Sequence, residues 1–300
     1  MFKNILIPLD GSKLAEAALS PAESLAKTLN APITLIHIIE KDAPQVIHSD
    51  HHLSRVDEAD EYLRHIAENT FPGDIKIETH VHTAQVKDVA ASIIQHSTEE
   101  FNPDLIVMCA HGSSGIRDFV FGNIAQQVVA GGKTPLLLIQ PQSTNNQPFT
   151  LRRIFVPLDS ESKHDESLHF AIGLAKAYDA EIYLLTVVPT IGTLSGQDAA
   201  VSTMLPATAI AFLDFKEETT KEHLQTHLTE ILDAGIRAKA EIARGDAAEM
   251  IATTAARVEA DLILLATHRR AGMGAFWARS VAPDVVRKSH LPVLLVPVKE

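Results

Sequence analysis

Cysteine is almost absent from this 300-residue chain: Cys109 is the only one. An internal disulfide is therefore impossible, and a secreted, disulfide-stapled fold loses its support. Long hydrophobic runs are missing too, and nothing approaches the roughly 20 consecutive apolar residues of a membrane helix. Clusters of lysine and arginine are also lacking, and the net charge is −12. Duplex nucleic acid and anionic membrane are thereby poor partners, because both are held by grouped basic side chains; a local basic patch around a phosphate would still be compatible. Residues Met1 to Leu6 lead straight into a strand pattern, without the basic start and apolar core of a signal peptide. The expectation is a cytoplasmic chain. What is present is ordinary for a soluble globular protein: 46% hydrophobic and 21% charged residues, enough for two domains with proper cores.

The chain repeats itself. The run NILIPLDGS from Asn4 to Ser12 recurs as RIFVPLDSE from Arg153 to Glu161, and Ile33–Ile39 recurs as Ile182–Val188, both at an offset of 149 residues. Further on, Asp104–His111 matches Asp261–His268 and Pro135–Ile139 matches Pro292–Val296, at an offset of 157, so the second copy carries a net eight extra residues in its middle. Such self-similarity marks two copies of one folding unit. They are expected as domains 1–142 and 150–300, joined by the polar linker Gln140–Pro148.

Each copy alternates strand and helix. The continuous apolar runs Ile5–Leu9, Ile33–Ile39, Leu105–Met108 and Leu136–Ile139 suit strands buried on both faces of a parallel sheet. Leu14, Ala18, Ala22, Leu25 and Leu29 recur at helical spacing, with Asn30 as a stop; Val89, Ile93 and Ile94 mark another helix, as do Met250, Ile251 and Ala255. The alternation implies a doubly wound α/β fold with right-handed crossovers. Ligands of such sheets sit beyond the carboxyl ends of the strands, where the strand order reverses.

That rule selects three places. After the first strand, Asp10 is an acceptor for a ribose hydroxyl or a phosphate-bound metal, or else a helix N-cap. At the end of the second strand, His37 to Glu40 offer backbone groups to a base, or are simply core strand. After Cys109 come Gly112 and Gly115 and then Gly122, Asn123 and a helix opening at Ile124 and Val128. Small residues let backbone approach phosphate oxygens, and helix N-terminal amides favour an anion.

Over essentially its whole length the chain resembles the universal stress protein family in its tandem form. ATP-binding members of that family carry G-x2-G-x9-G-[S/T] after the fourth strand; here those positions fall on Cys109, Gly112, Gly122 and Asn123, two kept and two changed. Cysteine is still small, and asparagine can still hydrogen-bond a phosphate. Other family contacts map onto Pro8, Asp10 and Ile38. The resemblance implies two tandem five-stranded, Rossmann-like parallel sheets of the adenine-nucleotide alpha-hydrolase type. It implies an internal pseudo-dimer in which Leu136–Ile139 and Val293–Val296 meet, and allows a homodimer. It also implies ATP or AMP, with magnesium as a companion ion, in the first domain. In the second copy the motif positions are Ala266, Arg269, Arg279 and Ser280, while Asp159 is kept and Val187 replaces Ile38. Arginine there either fills the phosphate space or grips an anion with its guanidinium fork; the loss of the glycines favours a blocked pocket.

Other chemistry is set aside. Gly131 to Thr134 imitates a P-loop but follows a helix and precedes a strand, and Gln127 stands at the required first glycine. Gly112 to Gly115 is not a nucleophile elbow, and Cys109 lacks zinc-thiolate partners. Among 15 histidines, His48, His51 and His52, and the helical pair His223 and His227, were weighed as metal ligands; solvated surface is the expectation for both groups, and no metal site is assigned. Three functions are left: a nucleotide-binding stress regulator acting on an unknown protein partner, an interaction protein with vestigial sites, and a slow ATPase.

Overall fold

The computed structural model describes residues 1–47, 50–71, 73–110, 122–141, 149–159, 166–194, 196–268 and 280–298, of which 166, 196–198 and 268 are described in backbone alone. Two compact units emerge: residues 1–150 with 267–280 and 290–300, and residues 151–266 with 281–289. Most of the linker Gln140–Pro148 lies outside the described residues.

The first unit runs β1 (Ile5–Pro8), α1 (Leu19–Leu29), β2 (Ile33–Glu40), a short hairpin of β3 (Val46–Ile47) and β4 (Asp50–His51), α2 (Val56–Thr70), β5 (Ile77–Val86), α3 (Val89–Glu99), β6 (Leu105–Cys109), α4 (Asn123–Gly131) and β7 (Leu136–Ile139). β1 pairs in parallel with β2 on one side and β6 on the other, β5 lies beyond β2, and β7 beyond β6. The apolar runs are buried as their composition demands: Ile5, Leu6, Ile7, Leu35, Ile36, Leu105 and Leu138 are almost fully sealed from solvent. Each such side chain contributes about 1.5–3 kcal/mol of apolar burial. α1 ends where expected, at Asn30, whose φ of 52° closes the helix in the left-handed conformation.

The second unit holds β8 (Arg153–Leu158), α5 (Glu166–Tyr178), β9 (Glu181–Val188), α6 (Gly196–Met204), α7 (Pro206–Asp233), β10 (Ala238–Arg244), α8 (Ala247–Arg257), β11 (Leu262–His268) and α9 (Ala282–Lys288). Its strands pair in parallel, β9 between β8 and β10, and β11 against β8. Here the connection after the second strand is filled by α6 and the 28-residue α7, where the first unit has its hairpin and the 15-residue α2.

The closing strand of the second repeat, β12 (Val293–Val298), belongs to the first unit. It runs antiparallel to β7, with Val293 opposite Leu138 and Leu295 opposite Leu136. These are the two last strands expected to meet.

Two histidines correct the expectation of solvated surface. His52 and His227 are both buried. His227 lies on the inward stripe of α7 with Leu213, Thr220, Leu224 and Ile231, so helical periodicity carries it into the core. His52 follows the β3–β4 hairpin, which folds it back over the sheet.

Candidate functional site

The loop after β1 turns sharply. Asp10 Oδ1 accepts from the Ser12 backbone N–H at 2.9 Å and from the Ser12 hydroxyl at 2.7 Å. Ser12 Oγ in turn accepts from the Ala15 N–H at 3.2 Å. Asp10 thus caps no helix: it holds Ser12, whose hydroxyl oxygen is the one that meets the Ala15 amide. Gly11 makes the turn possible: its φ is +89°, and a Cβ there would stand 2.7 Å from Leu53 Cγ.

On β2, Ile38 is buried and faces His82 across the ladder, and the register with β5 shifts between Ile38 and Glu40. The break disturbs the ladder at the strand end where backbone contacts to a base were expected. His37 is sealed in the core, its ring nitrogens 2.7 Å from the Leu9 carbonyl oxygen and 2.9 Å from that of Leu53. It ties the end of β1 to the chain beyond the hairpin.

Cys109 ends β6, buried and paired with Ile139 of β7. Gly122 is the buried N-cap of α4, in extended geometry and without a side-chain cap. Asn123 opens the helix exposed to solvent, its Oδ1 accepting from Gln127 Nε2 at 2.9 Å. Gly112 lies outside the described residues.

These residues converge. Pro8, Asp10, Ile38, Cys109, Gly122 and Asn123 line one cavity of about 270 Å³ at the carboxyl ends of β1, β2 and β6. This is where the strand order reverses, and the volume is just below the ~300–1,000 Å³ usual for small-molecule sites. Six of the seven residues selected in the sequence are thus brought to one place; the seventh is the undescribed Gly112. Val89 and Ile93 of α3, with Ile36, Met108 and Ile124, form the apolar walls.

Glu40, which ends the segment expected to meet a base through its backbone, and His52, expected on solvated surface, also line the cavity with their side chains. His52 Nε2 is 3.9 Å from Glu40 Oε2, and its Nδ1 is buried with no hydrogen-bond partner among the described residues. Burial pushes the His52 pKa down, against the upward pull of Glu40. Among the described lining residues there is neither lysine nor arginine. An anionic group bound here would be met by backbone amides or by an accompanying cation.

In the second repeat, Asp159, Val187, Ala266 and Ser280 are described, whereas Arg269 and Arg279 fall outside the described residues. No helix among the described residues is long and apolar enough to cross a membrane.

Comparison with known proteins agrees with this architecture. The profile of the Universal stress protein family matches the chain twice, over residues 1–140 and 150–297. A universal stress protein of Methanocaldococcus jannaschii is 30% identical over 149 residues, which cover 48% of this chain and 81% of that protein. The crystal structure of a universal stress protein from Archaeoglobus fulgidus covers 99% of this chain and 97% of its own, with a TM-score of 0.73 at 19% identity. A functionally unknown protein from Pseudomonas aeruginosa likewise covers 99% of this chain and 93% of its own, with a TM-score of 0.67 at 16% identity.

Proposed function

Because this chain belongs to the universal stress protein family, we propose that its first repeat binds an adenine nucleotide, ATP or AMP, and acts as a nucleotide-dependent stress regulator rather than a rapid catalyst. The observation that carries this reading is the convergence of Pro8, Asp10, Ile38, Cys109, Gly122 and Asn123 on one cavity.

Each group has a task there. Asp10 engages Ser12 through Oδ1, and Oδ2 is the atom to accept a ribose hydroxyl. The strand end at Ile38 offers backbone groups to the base, between the apolar walls. The backbone amides at the start of α4 point their partial positive charge at phosphate, and Gly122 leaves room for the oxygens. A magnesium ion arriving with ATP would take oxygen ligands, for which Asp10 and Glu40 are the lining carboxylates. Hydrolysis is expected to be slow, and His52 with Glu40 are the lining groups that a general-base role would have to use. Occupancy would then alter a surface read by a protein partner.

Heat release of co-purifying nucleotide, identified by mass spectrometry, tests the reading directly. Adenine nucleotide at near one mole per mole of chain supports it. Nucleotide-free protein that shows no heat of binding to ATP or AMP would leave an interaction protein with vestigial sites.

A further inference from the structure

Away from the nucleotide cavity, β5 and α3 bring three histidines together. β5 alternates its side chains, so His80 and His82 lie on the same face of the strand. α3 follows after a two-residue turn and lays His96 against them. One ligand-capable atom from each of His80, His82 and His96 lies within 4.8 Å of the other two. The rings meet edge to face, His80 to His96 and His82 to His96, each with centroids 4.9 Å apart. Phe101 closes an apolar side at 5.1 Å from the His80 ring.

The hydrogen bonding in this cluster is incomplete in an informative way. Glu100 Oε2 stands 2.5 Å from His96 Nδ1. A carboxylate only accepts, so His96 Nδ1 is the donor, and its neutral ring turns Nε2 outward as a lone pair. That Nε2 lies 2.9 Å from His82 Nδ1, where two ring nitrogens must share a single proton. His80 Nε2 is buried with no hydrogen-bond partner among the described residues. A ring nitrogen that can only accept, beside another left unpaired, makes a poor core but a good ligand set.

We infer that His80, His82 and His96 form a binding site for a divalent transition-metal cation, with zinc the best match. Zinc takes imidazole nitrogen at about 2.0–2.1 Å in tetrahedral geometry, which places the ligands about 3.3 Å from one another. The present spacings bracket that value, 2.9 Å for the His96–His82 pair and at most 4.8 Å across the set. Glu100 supplies the carboxylate that orients a ligating histidine through its other nitrogen. Solvent, or the second oxygen of Glu100 at 4.0 Å from His80 Nδ1, completes the shell. Burial also holds the pKa of His80 and of His82 below the usual histidine value, which favours the neutral form that metals bind. The site does not depend on the nucleotide proposal, although α3 also carries Val89 and Ile93 into the cavity.

The test is a zinc titration of full-length, chelator-stripped protein against a chromophoric competitor. One zinc per chain is expected with a Kd at or below about 1 μM. His80→Ala and His96→Ala should each abolish that uptake. Glu100→Gln should weaken it by about 10- to 100-fold, which a histidine core needing no metal would not do. Exchanging His51 with His52, or His223 with His227, for glutamine should leave it intact. X-ray absorption on the wild-type zinc complex gives an answer even where a variant fails to fold: three imidazole nitrogens at about 2.0–2.1 Å are expected. Absence of zinc uptake, uptake unchanged in the His80→Ala and His96→Ala double variant, or a shell without three imidazoles would overturn the assignment.

Discussion

The two repeats share a scaffold and part company at one place. Both begin with a strand that ends in Pro-Leu-Asp, and both pair it in parallel with the next strand and with the fourth. Beyond those strand ends the first repeat has Gly11, the β3–β4 hairpin that delivers Ile47 and His52 to the cavity, and Gly122 at the head of α4. At the corresponding positions the second has Ser160, the long helix α7 and Arg279. A sheet interior favours apolar side chains of suitable volume and admits a polar one such as His37 where it is hydrogen-bonded, so both copies keep a largely apolar sheet. The rim carries no such constraint, and one copy can lose a ligand site there without losing its fold.

Predictions can break this contrast or sharpen it. The largest effect is expected from carrying the second repeat's arginines into the first. Gly122→Arg or Gly112→Arg should weaken ATP binding by at least about 100-fold, ~2.7 kcal/mol, with thermal melting little changed. Calorimetric titration with retained wild-type affinity would show that the cavity is not the nucleotide site. In the reverse exchange, Arg269→Gly with Arg279→Gly should raise the stoichiometry above one per chain, using Asp159 and Ser280. Wild-type protein that already binds two would mean that arginine grips phosphate, and the contrast would fail.

Next in size is Gly11→Ser, which also copies the second repeat. The positive φ and the approach to Leu53 predict a loss of about 1–3 kcal/mol in stability, measured by urea denaturation. An unchanged midpoint would show that the loop relaxes at no cost.

The smallest effect concerns pH. Burial depresses the His52 pKa in the folded state, while Glu40 and Asp10 pull it up and His37 and His51 push it down. The unfolded chain therefore binds the proton more readily than the folded one. Stability from this group is complete above the ordinary histidine value of 6.5 and declines as pH falls below it towards the folded value. His52→Gln should flatten that decline. A slope identical to wild type would assign it to His80 and His82, which are shifted in the same direction.

Much of the fold could be read from the chain, because a strand buried on both faces is largely apolar, as β1, β6 and β7 are throughout and β2 is apart from Thr34, His37 and Glu40. β5 could not be read so. It lies beyond β2 with a half-exposed pattern from Ile77 to Val86, and its apolar residues, Ile77, Val81, Ala84 and Val86, are too few and too irregularly spaced to mark a strand. The cavity residues were legible because strand ends and glycines announce themselves. His52 was not, since nothing local says that a hairpin will fold it inward. The His80, His82 and His96 cluster escaped for a related reason. Neither a local cluster such as His48, His51 and His52 nor a helical pair such as His223 and His227, this set combines a two-residue strand interval with a helix residue fourteen positions on, and only tertiary packing joins them.

The place of β12 has a consequence in time. The strand that covers the β7 edge of the first unit is the last strand of the chain, with Val293 opposite Leu138. During synthesis at ~5–20 residues per second, the stretch between those two residues takes roughly 8–30 s to emerge. Throughout that interval Leu136–Ile139 presents an unpaired apolar strand edge, the kind of template that other chains can join. The first unit, although encoded first, is among the last parts of the molecule to be finished, and its vulnerable period is set by the length of its own duplicate.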